Sequence, residues 1–478
     1  MFPPPGFDRP APPRLKAPVA RPLPGNLPPW GWLEWFLVSQ AFIPALLFVP
    51  GVSVLRVFTR IAAFVIALVA WAWIWHKGRR FPGAQRFPAT PWLVGCALWL
   101  GLSIFHPGTN SLLSGLAQAA MYLTVFSPAF WVPMTLATSQ QVPRLMKIMF
   151  FCCAVSTLVG IGQVYRPETF NPPYIPSIDS GNDYSISALT YTTADGQRIV
   201  RPCGLSDNPG QAAGAGGVAC LIGLCMAVRP IAPWKRLVYL GIALAGMVVI
   251  YFCQMRAAMV MEFVCIIGLI ALFTARGHYR QATLLGIGSV VILLAGAAWA
   301  VSAVGDVGTK RFLTLIEQRP EDIYASRGSF VQQTFDSLIW ESPLGCGLGR
   351  WGQAYGYFGD HSSGYGGVNG QIWVEVQWPG WVVDGGIPLL VGYVVAIVLA
   401  MLNTLRIALN SRNNELAYWA CVIFTMNLSA VATTFSSCPF VAPAGTGFWL
   451  MATALHAADQ RTRVVAPQRR TTMARTLK

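Results

Sequence analysis

The feature that most constrains this chain is a succession of about twelve apolar segments, each near the length of a helix that crosses a lipid bilayer. They run near 31–49, 61–75, 91–105, 112–134, 146–164, 210–228, 237–253, 257–274, 283–304, 386–405, 416–435 and 441–457. Crossing the hydrocarbon as helix takes roughly 20 apolar residues. No water reaches a backbone group there, so helices that satisfy their own hydrogen bonds are the available solution. Composition agrees: 54% of the residues are apolar and only 11% charged, where a soluble domain has about a quarter charged. The expected fold is an all-α polytopic membrane protein of about twelve transmembrane helices.

Charge sets the expected orientation. With both termini cytoplasmic, the inner segments 1–30, 76–90, 135–145, 229–236, 275–282, 406–415 and 458–478 and the adjoining span ends hold about 23 of the 34 Lys and Arg residues. The outer loops hold the remaining 11 or so, with about 14 of the acidic residues. The net charge of +15 therefore reads as membrane orientation and excludes a nucleic-acid footprint. Residues 1–30, with Pro3, Pro4, Pro5, Arg9, Arg14 and Lys16, form a Pro-rich basic cytoplasmic tail. They lack the charged start, apolar middle and small-residue site of a cleaved leader. A second basic tail covers 458–478, and the membrane core lies between, at 31–457.

Two outer loops are long, about 165–209 and 305–385. In the first, Ala194-Asp195-Gly196 favours a hairpin turn between Ser187–Thr193 and Gln197–Val200. The small residues from Gly210 to Gly217 suit close helix packing or a groove for lipid, and the two readings are compatible. In the second, Phe330, Val331, Phe335, Leu338 and Ile339 recur at helical spacing, with Ser326 as N-cap and Pro343 just past the end. The aromatic-rich stretch from Ile372 to Val383 is expected at the membrane interface, the depth tryptophan prefers. Most cysteines fall in spans. Cys203, Cys346 and Cys438 face outward, where a disulfide between two of them would suit an oxidising compartment. No spacing of Cys, His, Asp and Glu suggests a metal site.

Three arginines reach the outer surface: Arg201 at the end of the first loop, Arg256 in the short turn Phe252–Ala258, and Arg327 in the first turn of the loop helix. Guanidinium forks match phosphate oxygens bidentately and stay charged. A cation in a helix's first turn opposes the helix dipole unless an anion is held between them. The competing reading pairs Arg327 with Glu321 or Asp322 and lets Arg256 snorkel. Candidate bases are His361, Glu375, Asp360 and Asp384. The bland alternatives are a solvated His361 and a Glu375 bonded to a tryptophan N–H. Glu262, inside a span, is either functional or bonded to another helix. Gly345-x-Gly347-x-Gly349 lacks the strand of a nucleotide-binding turn and reads as a tight backbone turn near the membrane.

Three segments resemble the bacterial O-antigen ligase and polysaccharide polymerase superfamily. They are Arg201-Pro202-Cys203-Gly204 with Asn208-Pro209 before a small-residue span, Met255-Arg256-Ala257-Ala258, and Arg327 with its helix followed by Ser342-Pro343-Leu344-Gly345-Cys346-Gly347-Leu348-Gly349. Asp384-Gly385-Gly386-Ile387 is similar to the family's acidic-x-glycine before the next span, and the likeness covers about 200–400. It implies glycosyl transfer without metal or other cofactor, from an undecaprenyl-diphosphate-linked glycan at the periplasmic face of the bacterial inner membrane. Arg201, Arg256, Arg327 and Asn208 would hold the diphosphate, and Glu375 or His361 would be the base. Where the family carries histidine-asparagine, this chain has Glu375-Val376, a departure that favours polymerase over ligase. The implied partners are the lipid-linked oligosaccharide, the bilayer, a chain-length regulator and a flippase. A transporter or lipid flippase is the reading from another class; the lack of internal repeats and the polar outer loops count against it.

Overall fold

The computed structural model describes residues 30–52, 56–76, 86–136, 138–172, 189–192, 198–305, 317 and 327–476. The basic tail at 1–29, the turn Ala194-Asp195-Gly196, the pair Glu321 and Asp322, and the expected N-cap Ser326 lie outside the described residues.

Helix dominates. In chain order the elements are α1 (Trp32–Phe42), α2 (Arg56–His76), α3 (Thr90–Ser103), α4 (Leu112–Phe126), α5 (Pro128–Thr135), α6 (Gln141–Tyr165), α7 (Pro167–Phe170), β1 (Thr190–Thr192) and β2 (Arg198–Val200). Then come α8 (Pro209–Ala227), α9 (Pro233–Cys253), α10 (Arg256–Ala275) and α11 (Tyr279–Val304). In the second long loop, α12 (Ser329–Gln333) passes through a π turn, Thr334–Leu338, into α13 (Ile339–Glu341). The chain ends with α14 (Gly352–Phe358), α15 (Gln377–Asn410), α16 (Asn414–Ala432) and α17 (Pro443–Thr476). Among the described residues, nine helical stretches are long and apolar enough to cross a membrane, and Trp32–Phe48 and Thr90–Ser103 are shorter apolar helices. The protein is an all-α multi-pass membrane protein. Ile267, Val290, Val291 and Leu294 stand exposed on these helices, as side chains facing lipid do.

Local signals explain the helix ends. Ser111 and Ser114 form a reciprocal cap on α4, and the Asn208 and Asn413 side chains accept backbone N–H bonds at the starts of α8 and α16. Proline occupies the first turn of α8 and α9, where its missing N–H costs nothing. At the far end of α15, Arg276 donates to the carbonyls of Ala408, Leu409 and Ser411, taking up acceptors the helix leaves open.

The small residues of α8 serve packing. A Cβ on Gly246 of α9 would lie 2.3 Å from the Gly216 carbonyl oxygen, and one on Gly216 would lie 2.7 Å from that of Gly246. The two backbones therefore touch. The expected hairpin forms, with Thr190 opposite Val200, Tyr191 opposite Ile199 and Thr192 opposite Arg198. Trp381, Val382 and Val383 are fully buried in a core with Tyr393, Phe440 and Trp449, because a helix turn before the kink folds them into the protein. The C-terminal tail continues α17 as helix to Thr476.

The second long loop is fixed to the bundle by close backbone contact. In α15, Gly385 and Gly386 break the helix, Gly386 with φ 61° and ψ −154°, a region open to glycine alone. A Cβ on Gly386 would lie 2.1 Å from the Pro343 carbonyl oxygen. Across this contact Ile387 N–H donates to Pro343 O at 2.8 Å and Cys346 N–H to Val383 O at 2.7 Å.

Gly386→Ala is therefore expected to lower stability by about 2 kcal/mol or more, from backbone strain and the clash together. Gly356→Ala, at a helical glycine with open space where the Cβ would go, is expected to leave it unchanged or slightly raised. Thermal unfolding of the two purified variants in detergent checks both; equal melting temperatures would refute the contact's role.

Candidate functional site

Two helical passes separate each of the connections near 104–111, 166–208, 254–255, 305–376 and 436–442. Successive antiparallel passes bring all five to one end of the bundle, and every candidate site residue of the sequence lies there. They fall into two groups.

The first group is built by α6. Its buried Gln163 accepts from the N–H groups of Cys203 (2.8 Å) and Gly204 (2.9 Å) and donates to Gly204 O (2.9 Å) and Phe170 O (3.1 Å). This one amide fixes the turn after Arg201. Arg201 itself is tied to the hairpin through its N–H, which donates to Leu189 O at 2.8 Å. Next to it, the Cys253 thiol donates to Pro202 O at 3.3 Å. The chain then turns through Gln254, which has φ 52° and is the one non-glycine with positive φ among the described residues. Such conformations survive where surrounding structure enforces them and cluster at functional sites. Arg256 begins α10 directly after that turn. The side chain of Met255 reaches the start of α8, within 3.7 Å of where a Cβ on Gly210 would stand. Asn208 caps α8, its Oδ1 accepting from Gly210 N–H at 2.7 Å. The segments of Arg201, Asn208 and Arg256 thus meet.

The second group centres on Arg327, at the start of the loop helix. Its Nε stands 3.8 Å from Glu375 Oε2, with both side chains partly exposed. Among the described residues its acidic partner is Glu375, about fifty residues on. Trp373 Nε1 donates to the other Glu375 oxygen at 3.1 Å, the indole bond that the sequence offered as one alternative. His361 lies on an exposed turn, its ring edge-on to Tyr355 at 4.8 Å. Its neighbour Asp360 is held below the usual carboxylate range by hydrogen bonds from Ser362.

Asp384 is not placed for base chemistry. Its carboxylate is fully buried and accepts from Tyr122 OH (2.8 Å), Gln118 Nε2 (2.9 Å) and Trp351 Nε1 (2.9 Å). Three donors from two other parts of the chain converge on one carboxylate, which anchors the loop to α4 and α15. Tyr122, Gln118, Gln163 and Asn110 were missed in the sequence because a single polar residue in an apolar run looks the same whatever it bonds. Asn110 takes Asp360 N–H at 2.6 Å and donates to Asp360 O and Asn369 O, stitching the far part of the loop to the α3–α4 connection. Glu262 lies buried against α8, where a Cβ on Gly217 would come within 2.9 Å of its Oε2. It belongs to the contact between two helices. Cys203, Cys346 and Cys438 are free thiols. Burial pushes the Cys203 thiol up to about 12 and raises Cys438 as well, so neither offers a thiolate for exchange.

No protein-family model matches the chain, and no curated protein matches it.

Asp384→Leu would leave three buried donors without an acceptor and is expected to cost at least about 3 kcal/mol. Arg327→Ala, which removes a half-exposed pair, is expected to change stability by less than about 1 kcal/mol. Denaturant or thermal unfolding of the purified variants separates them; an Asp384→Leu variant as stable as the wild type would exclude the anchoring role.

Proposed function

We propose that the protein is a glycan polymerase of the inner membrane, related to the O-antigen ligase and polymerase superfamily. It joins lipid-linked oligosaccharide repeat units at the outer face. The observation that carries the reading is the gathering of the family-like segments at one end of the bundle. Two arginine-bearing segments, around Arg201 and Arg256, pack against each other, and Arg327 stands beside a carboxylate on the anchored loop. A cation next to a proton acceptor, with further cations at the same end of the bundle, suits displacement of a diphosphate.

In this reading the acceptor hydroxyl oxygen attacks the anomeric carbon of the donor sugar. The bond from that carbon to the diphosphate oxygen breaks, and its electron pair leaves with undecaprenyl diphosphate. Arg201, Arg256 and Arg327 hold the charge that grows on the leaving group; fixed cations at such a point stabilise the transition state more than the ground state. Glu375 takes the acceptor's proton. Trp373 Nε1 donates to one of its oxygens, and Arg327 stands beside the other. The twelve apolar segments, all of which fall on helix, would each cross the membrane, with the basic segments inside.

Purified protein given one lipid-linked repeat unit is expected to produce a ladder of longer glycans, at the same rate in EDTA. Arg256→Ala and Arg327→Ala are each expected to slow elongation about 100-fold or more, with folding intact. Glu375→Gln should do the same, while His361→Ala should not; the reverse result would move the base to His361. No ladder from the wild type until a separate acceptor is added would replace polymerase by ligase. Lipid-linked repeat crossing vesicles with no new glycosidic bond would mean a transporter.

A further inference from the structure

At the opposite end of the loop helix from Arg327 lies an open cleft of about 420 Å³, whose polar walls are His106, Glu341, Ser342 and Arg350. The volume falls in the range of small-molecule sites, roughly 300–1,000 Å³. It is walled by three stretches, the α3–α4 connection at 106–108, the loop at 341–346 with Arg350, and Gly367 with Val368; glycine contacts lock the first two together. A Cβ on Gly347 would lie 2.2 Å from the Gly108 carbonyl carbon, and one on Gly108 would lie 2.2 Å from the Cys346 carbonyl oxygen. The cleft is therefore a fixed feature of the docked loop.

Its chemistry selects a class of ligand. The Arg350 side chain is 5% exposed, and its guanidinium donates to the carbonyl oxygens of Gly370 (2.8 Å), Cys346 (3.1 Å) and Gly367 (2.7 Å). Three of its N–H groups are thus taken by the loop backbone. Glu341 is exposed and adds a negative charge at the rim. A phosphate or acidic sugar would meet that carboxylate without a free guanidinium to compensate. His106 Nδ1 accepts from Gly108 N–H at 3.0 Å, so the neutral ring carries its proton on Nε2 and offers it as a donor. The cleft thus presents a donor, an ionised acceptor and a hydroxyl, with Pro343, Leu344 and Val368 giving apolar faces between them. Donors and acceptors alternating with apolar patches suit the hydroxyls and C–H faces of a neutral sugar. A purely apolar ligand would leave the polar groups unpartnered at a cost.

We propose that this cleft is a glycan subsite separate from the transfer centre, binding neutral sugars of the growing chain. The helical stretch 327–341 that joins the two is about 20 Å long at 1.5 Å per residue. A site at that distance cannot take part in bond formation. It can hold a polymer near the transfer centre between additions, raising the local concentration of its end. The inference deepens the polymerase reading and rests on it for its purpose, though not for the binding itself.

Cys346 lines the cleft, so its reaction with a sulfonated maleimide reports occupancy, read by peptide mass spectrometry of the purified full chain. The probe is the neutral oligosaccharide fraction released by mild acid from the producing cell's surface polysaccharide. It is expected to slow Cys346 labelling at least threefold, and His106→Ala and Glu341→Gln are each expected to abolish the protection. Inorganic phosphate at equal concentration should leave labelling unchanged. An unchanged rate with the oligosaccharides, equal protection in both variants, or protection by phosphate would overturn the subsite. Loss of folding is checked by melting temperature, and Val368→Arg, at an exposed rim position, supplies a third variant that should also lose protection. Arg327→Ala separates the two readings: protection that persists while the ladder is lost supports both. Protection alongside a normal ladder in that variant keeps the cleft and removes Arg327 from the transfer centre, whereas protection in a wild type that makes no ladder keeps the cleft and sinks the polymerase reading. A lost ladder with no protection in the wild type does the opposite.

Discussion

The arrangement at the loop end depends on one buried carboxylate. Asp384 is fully buried and accepts three hydrogen bonds, from Gln118 and Tyr122 on α4 and from Trp351 in the loop. An ionised carboxylate in such surroundings is tolerable only when its oxygens are satisfied. Removing any partner exposes the rest of the cost, so the three elements are held in one mutual position. The Gly385–Gly386 break lies immediately after this residue. Trp99 Nε1 donates to the Gly385 carbonyl at 2.7 Å, so the acceptor released by the broken helix is also used. A carbonyl freed by a kink at membrane depth would otherwise face hydrocarbon.

The three glycines of the loop follow from that constraint. Gly345, Gly347 and Gly349 all have positive φ, at 101°, 99° and 70°. Each faces a different backbone: Gly345 faces Gly385, Gly347 faces Gly108 and Gly349 faces Ser114. The alternation along the loop turns successive residues toward α15 and toward the α3–α4 connection. Leu348, the residue between two of them, is fully buried and exchanges backbone contacts with Thr109 and Asn110. One short segment thereby closes the space between two helical hairpins and leaves the helix 329–341 projecting from it with Arg327 at its tip.

Much of this was legible beforehand, and the rest was hidden for definite reasons. Apolar length pointed to the helices, and Asp195-Gly196 to the hairpin, because both signals are local. Asn208 before proline marked the start of α8. The triple-glycine run could be read as a tight turn but not as a dock, since the surfaces it meets lie over two hundred residues earlier, at Gly108 and Ser114, and forty residues later, at Gly385. Asp384 looked like one of four candidate bases; only the placement of Gln118, Tyr122 and Trp351 makes it an anchor. Trp381 could be read as an aromatic next to a span, but its partners Tyr393, Phe440 and Trp449 lie beyond the kink at Gly385–Gly386. For Arg327 the sequence left open an anion site or a pair with Glu321 or Asp322, and it gave no sign that the loop returns Glu375 to it across almost fifty residues.

The two groups at this end differ in how they are held, and the difference bears on what each can do. The Arg201–Arg256 group is held by a buried amide, a hairpin and a left-handed residue, which fix the backbone that carries the two arginines. Arg327 and Glu375 are instead partly exposed at 3.8 Å, a separation longer than a hydrogen bond. A pair so loosely engaged gives up little when a ligand separates it. In the proposed reaction an incoming diphosphate would take the guanidinium and free the carboxylate in one movement. A tight buried pair would resist the exchange, so the looseness of this contact favours a binding role over a structural one.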